Sequence, residues 1–165
     1  MAQDMYDKLT EFIVADQQKF YRVAYTYVQN KDSALDVVQN AICKALENYG
    51  SLRNESAMKT WFYRILANES LNYIRKNKRE IAYEPAEFPE EIYVEPAYEA
   101  GLNLFHEVQA LPEQMRTVVT LHYFEEMTLK EIAQITGVNL NTVKTRLYSA
   151  LRRLKGVVRE KEECV

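Results

Sequence analysis

The chain has 165 residues, 47% of them hydrophobic, with four glycines, four prolines and a formal net charge of −3. That composition supports packed cores in one domain or two small ones, and it excludes both a largely disordered chain and a uniformly basic coat for nucleic acid. Any nucleic-acid surface must therefore be local.

Cys43 and Cys164 are too few and too far apart for a zinc site or a disulfide framework, and suit a reducing cytoplasm. Cys43 falls in a helical apolar pattern and Cys164 in a frayed tail. The start MAQDMYDKLTEF is acidic and polar rather than a signal peptide. No apolar run approaches the roughly 20 residues needed to span a bilayer. A cytoplasmic location is expected.

Residues 4–29 read as helical, with Met5, Leu9, Phe12 and Ile13 and then Phe20, Val23, Ala24, Tyr27 and Val28 at helical spacing. After the turn Asn30-Lys31-Asp32, either Asp32 or Ser33 is expected to cap the next helix. That helix is the most regular of the chain. Ala34, Val37, Val38, Ala41, Ile42, Ala45, Leu46 and Tyr49 form one stripe, and Gly50 is expected to end it. Its opposite face carries Asp36, Gln39, Asn40 and Lys44, which is either a solvated face or a docking surface.

From Met58 to Arg79, aromatic and aliphatic residues (Trp61, Phe62, Tyr63, Ile65, Leu66, Leu71, Tyr73, Ile74) are interleaved with cations. Lys59, Arg64, Arg75, Lys76, Lys78 and Arg79 are set against one acid, Glu69. Rings beside cations suit single-stranded nucleic acid, because unpaired bases stack while Lys and Arg hold the backbone. The other reading makes the rings core and the cations a solvated helix end. Both stand at this point.

Residues 80–100 carry seven Glu and no Lys or Arg, with Pro85, Pro89 and Pro96. This is expected as an acidic, extended linker over 80–101. It serves as a solubilising spacer or as a mask for the basic stretches on either side. Helical pattern resumes with Leu102, Phe105, Val108 and Leu111. Pro112 suits a first turn, and Met115, Val118, Val119, Leu121, His122, Tyr123 and Phe124 form an apolar support. His106 and His122 lack a second ligand at metal spacing and are read as structural or surface residues.

The stretch TLKEIAQITGVNLNTVKTRLYSALRRLK, Thr128 to Lys155, has the pattern of a helix-turn-helix. Thr128 with Glu131 makes a capping box, and Ile132, Ala133 and Ile135 supply the buried side. Gly137 suits a left-handed stop, Val138 packs the turn, and Asn139 is a candidate second cap. In the second helix, Val143, Leu147, Ala150, Leu151 and Leu154 are the expected core. Asn141, Thr142, Lys144, Thr145, Arg146, Ser149, Arg152 and Arg153 stand between them, supplying amides, hydroxyls and cations for phosphates and base edges. From Leu140 to Lys161, seven Lys and Arg face one Glu. There is no metal-ligand cluster, Gly-rich phosphate loop or nucleophile–base spacing, so no catalytic residue, metal, cofactor or small-molecule substrate is expected.

Three stretches in this order resemble the extracytoplasmic-function sigma factors. SALDVVQNAICKALENYGSLRN resembles the family's polymerase-binding helix, with its Asp-x-x-Gln at Asp36 and Gln39. KTWFYRILANESLNYIRKNKR resembles the helix and loop that open and read the −10 element, and the helix-turn-helix resembles the −35 reader. The resemblance implies an all-α fold of two small helical domains, 1–79 and 102–165, joined by the acidic linker. It implies a transcription initiation factor without catalysis of its own, whose partners are core RNA polymerase, promoter DNA and an anti-sigma factor, often membrane-anchored.

Carried over by position, Asp36, Gln39, Asn40 and Lys44 would face polymerase. Lys59, Trp61, Arg64, Asn68, Asn72, Arg75, Lys76 and Arg79 would meet −10 DNA, with Asn68 at a loop position beside a flipped base. Asn141, Thr142, Lys144, Thr145, Arg146, Ser149 and Arg152 would meet −35 DNA. Asn40 departs from a common Glu, and Ser149 from a common Arg. The extra C-terminal domain of some subfamilies and the inhibitory N-terminal region of housekeeping members are not expected. A stand-alone helix-turn-helix regulator is the rival reading. It leaves Asp36, Gln39 and the aromatic-basic stretch without a role.

Overall fold

The computed structural model describes residues 2–81, 104 and 106–163, with side chains over 3–77, 104 and 106–155. The expected linker from residue 82 onward, Leu102, Phe105 and Cys164 lie outside the described residues. The chain divides into two compact units, Met1–Pro89 and Glu90–Val165. Among the described residues all regular structure is helical, as the all-α expectation requires. No helix among them is long and apolar enough to cross a membrane.

The first unit holds α1 (Ala2–Ala15), α2 (Gln17–Val28), α3 (Lys31–Glu47) and α4 (Met58–Ile81). The stretch expected as one helix over 4–29 is broken at Asp16, which sits at φ −115°, ψ 18°. Packing explains the break. In a continuous helix, residues eight apart lie about 12 Å apart along the axis. The break brings the Phe12 and Phe20 rings to 5.3 Å, and both pack on Phe62, at 5.8 and 4.3 Å. Tyr63 closes edge-on against Phe20 at 5.4 Å. Phe20, Phe62, Tyr63, Leu9, Leu66 and Val37 are fully buried and form the core. The rings beside the cations thus divide, with Phe62 and Tyr63 going to the core.

Gln29 ends α2 in the left-handed region at φ 58°. Asn30, rather than Asp32 or Ser33, caps α3, its Oδ1 accepting from the Ser33 N–H at 2.9 Å. The cap falls there because only Asn30 is still extended, at φ −145°, ψ 132°. At the other end α3 stops at Glu47, before Gly50, which lies in a 3-10 turn, Tyr49–Ser51. The Asn48 Nδ2 donates to the Lys44 carbonyl at 2.8 Å, satisfying a helix-end acceptor. A second 3-10 turn, Glu55–Ala57, leads into α4. Lys8 reaches across to Glu55 at 2.9 Å and to Asp4 at 3.4 Å, and these two carboxylates raise its ammonium above the usual lysine value. Cys43, expected in the apolar pattern, is exposed because Ala41 and Ala45 take the buried stripe on either side of it.

The second unit begins with a helical turn at 106–109 and continues with α5 (Glu113–Val119), α6 (Leu129–Thr136) and α7 (Leu140–Glu163). The apolar support expected up to Phe124 changes at Thr120 into a π-helical turn, Thr120–Phe124, closed by the Glu125 N–H to the Thr120 carbonyl at 3.1 Å. The π turn takes up one extra residue per turn. It leaves Leu121 buried but Tyr123 exposed, and it lets the Met127 N–H reach the Leu121 carbonyl. His122 has a structural role: its Nδ1 donates to the Met127 carbonyl at 2.7 Å. Val108, Val118, Leu121, Met127, Ile132, Val143 and Ala150 make the core of this unit.

Candidate nucleic-acid interface

The starts of α6 and α7 are fixed by side chains, and a glycine ends α6. Thr128 Oγ1 accepts from the Glu131 N–H, and Glu131 Oε1 accepts from the Thr128 N–H, each at 3.1 Å. This is the complete capping box expected from the sequence. Gly137 stands at φ 76° and donates to the Ala133 carbonyl, ending α6. Two residues later Asn139 Oδ1 accepts from the Thr142 N–H at 2.8 Å and starts α7. The turn is thereby specified on both sides, by Gly137 and by Asn139.

Burial of Val143, Leu147, Ala150 and Leu154 then fixes the rotation of α7. Asn141, Lys144, Thr145 and Arg152 are exposed, while Thr142, Arg146 and Ser149 are half-buried at the edges of that face. The Thr145 hydroxyl donates to the Asn141 carbonyl at 2.9 Å, which orients its oxygen to accept. No acidic residue occurs between 140 and 155. The face holds one residue that the sequence pattern does not single out. Tyr148 is 56% exposed, two turns along from Asn141 and one from Lys144 and Thr145. Counting two turns from Asn141 finds it.

In the first unit, a depression of about 490 Å³ opens between the end of α3 and the outer side of α4. Trp61, Ile65, Asn68, Asn72 and Arg75 line it at spacings of four, three, four and three, one stripe of a helix. Lys44, Asn48 and Ser51 form the facing wall, and Glu69 and Leu71 complete it. Asn68, expected at a loop position, is in the middle of α4 and exposed. Phe62, Leu66 and Ser70 bury one continuous stripe past it, and no Gly or Pro interrupts them. The loop residues at this depression are Asn48 and Ser51 instead.

Trp61 is half-buried, so part of its ring remains open to the depression. Lys59, Arg64 and Lys76 are not among the lining residues, and the side chain of Arg79 lies outside the described residues.

Helical spacing groups Lys44 with Asp36, Gln39 and Asn40 on one face. The structure also ion-pairs it with Glu69 across to α4 and places it along the depression. Asp36, Gln39 and Asn40 remain exposed together on α3, and Leu35, 45% exposed, adds an apolar contact beside them. Among the described residues no group of His, Cys, Asp and Glu could hold a metal ion.

Residues 12–80 match the family described as Sigma-70 region 2, and residues 102–154 match Sigma-70, region 4. The chain is 40% identical over 153 residues to RNA polymerase sigma factor SigV of Bacillus subtilis (strain 168), covering 89% of each chain. It is 28% identical over 172 residues to ECF RNA polymerase sigma factor SigW of the same organism, covering 93% of this chain and 90% of that one. Against the ECF RNA polymerase sigma-E factor of Escherichia coli (strain K12), identity is 30% over 155 residues, covering 84% and 80%.

Among solved structures, the sigma factor RpoE in complex with the anti-sigma factor NepR from Bartonella quintana superposes with a TM-score of 0.79. It is 25% identical, over 91% of this chain and 96% of that one. CnrH in complex with the cytosolic domain of CnrY has the same fold, with a TM-score of 0.66 at 16% identity over 96% and 95%.

Proposed function

This chain belongs to the extracytoplasmic-function group of the sigma-70 family, transcription initiation factors that direct RNA polymerase to promoters, and we propose that it reads promoter DNA with two separate surfaces. The α7 face enters the major groove of the −35 element. Lys144, Arg146 and Arg152 meet phosphates and base edges there, joined by Asn141, Thr142, Thr145, Ser149 and Tyr148. The depression between α3 and α4 takes an unstacked base of the −10 non-template strand. Trp61 supplies a ring for stacking, Asn68 and Asn72 supply amides for the base edge, and Arg75 supplies charge for the backbone. Lys59, Arg64, Lys76 and Arg79 hold the flanking strand. Lys44 acts with the −10 set, while Asp36, Gln39 and Asn40, with Leu35, meet core polymerase.

One observation carries the reading. Trp61, Asn68, Asn72 and Arg75, dispersed over fifteen residues of sequence, line one depression in a unit other than the one that holds α7. A double-strand reader alone has no use for such a pocket. The domain boundaries we propose follow the same division, 1–79 and 102–165 with the acidic segment between them. The relatives are sigma factors, which are not enzymes, and the proposed role asks no bond-making of this chain. One solved relative is complexed with an anti-sigma factor, and an anti-sigma partner is proposed here too. The factor acts in the cytoplasm, where its polymerase is, or at the membrane when such a partner is anchored there.

Run-off transcription tests this. Core polymerase plus the chain is expected to give promoter-specific transcripts, with little DNA binding by the chain alone. Equally tight and selective DNA binding without core would instead favour the stand-alone regulator.

A further inference from the structure

Glu69 is the one acid between Lys59 and Arg79, and it lines the depression. We propose that its carboxylate, anchored by Lys44, accepts a hydrogen bond from the exocyclic amine of the base held there, and so selects an amino-bearing base over thymine. The inference rests on reading the depression as the −10 pocket.

A carboxylate in a DNA-binding wall repels phosphate, so its presence needs a counter-ion or a base to read. The geometry supplies both. The Glu69 side chain is 11% exposed and that of Lys44 is 53% exposed. The acid is recessed and the ammonium sits nearer the rim. Lys44 engages Glu69 Oε1, and it is the only ionic or hydrogen-bonding partner of the Glu69 side chain among the described residues. An ionised carboxylate offers about four acceptor sites, so most of this capacity remains for a ligand.

Trp61 and Asn68 line the same depression, offering a ring face and an amide beside the acceptor. Cytosine, adenine and guanine each carry an exocyclic amine that can donate to a carboxylate. Thymine has no such amine. Its single ring N–H lies between two carbonyl oxygens, which the carboxylate would repel. Lys44 next to the acid can donate to a ring nitrogen or carbonyl of the accepted base. Discrimination therefore comes from both a made bond and a repelled competitor.

The test is run-off transcription with core polymerase on a template library randomised across the −10 element, comparing base frequencies in the transcribed templates. In the native chain one −10 position should exclude thymine, and Glu69→Gln should raise thymine there about tenfold, the scale of one base-edge contact. Other positions should be unchanged. The glutamine keeps the shape of the side chain and adds a donor that thymine O4 can accept. Lys44→Ala serves as the second variant and should lower total transcription while keeping thymine excluded, since the acid remains. Circular dichroism and core binding of each variant establish that it is folded.

If Trp61→Ala alters the −10 profile and Glu69→Gln alters none of it, the proposal is overturned: the pocket stands and Glu69 only ties α4 to α3. If neither variant alters any −10 position, the assignment of the pocket and the role of Glu69 fall together.

Discussion

Gly137 stands at φ 76° with open space around it: a Cβ added there would meet nothing within 4 Å. Substitution by alanine therefore costs only the left-handed backbone, about 1–2 kcal/mol. Thr128→Ala removes one half of the capping box and should cost about 1 kcal/mol. Urea unfolding of both variants checks these values. No change for Gly137→Ala would mean that the turn relaxes to another backbone.

These residues are legible in the sequence because capping and left-handed stops act over three or four neighbours. Asn30 is less so. Asn30, Asp32 and Ser33 all carry capping chemistry, and only the extended backbone at Asn30 decides among them. Glu69 and Lys44 are not legible as a pair. They lie 25 positions apart, and their ion pair exists only once α3 packs on α4.

At the scale of elements, helical periodicity locates every long helix but not the breaks within them. Asp16 reads as an ordinary polar position until Phe12 and Phe20 both need to reach Phe62. The π turn after Val119 has no local signature, because Thr120 to Phe124 would also suit an α-helix. The division of the aromatic-basic stretch into core rings and Trp61 follows from the rotation of α4, which the alternation of rings and cations does not determine.

For α7, rotation is legible from its apolar stripe, and the charge on its open face has a measurable consequence. Removing one cation that neutralises a phosphate lowers the log–log salt dependence of DNA binding by about 0.9. Lys144→Gln should therefore flatten that slope by about this amount in the polymerase–promoter complex, and weaken binding alike on all −35 sequences. A changed base preference with an unchanged slope would instead make Lys144 a base reader.

At the scale of the molecule, the proposed function gives each of the two small units one reader, and both would contribute when polymerase holds them on one promoter. Neither unit has to bind tightly by itself. The chain's net charge of −3 fits this division, with positive charge gathered on α4 and α7. Two-part promoter reading is the central claim, and one measurement addresses it directly. Promoters randomised across both elements are selected by transcription with core polymerase and the native chain, Asn68→Ala or Arg146→Ala. Asn68→Ala should relax base preference within the −10 element alone, with core binding retained. Arg146→Ala should lower −35-dependent initiation alone. Either substitution weakening both elements equally, or leaving both profiles as in the native chain, would contradict it.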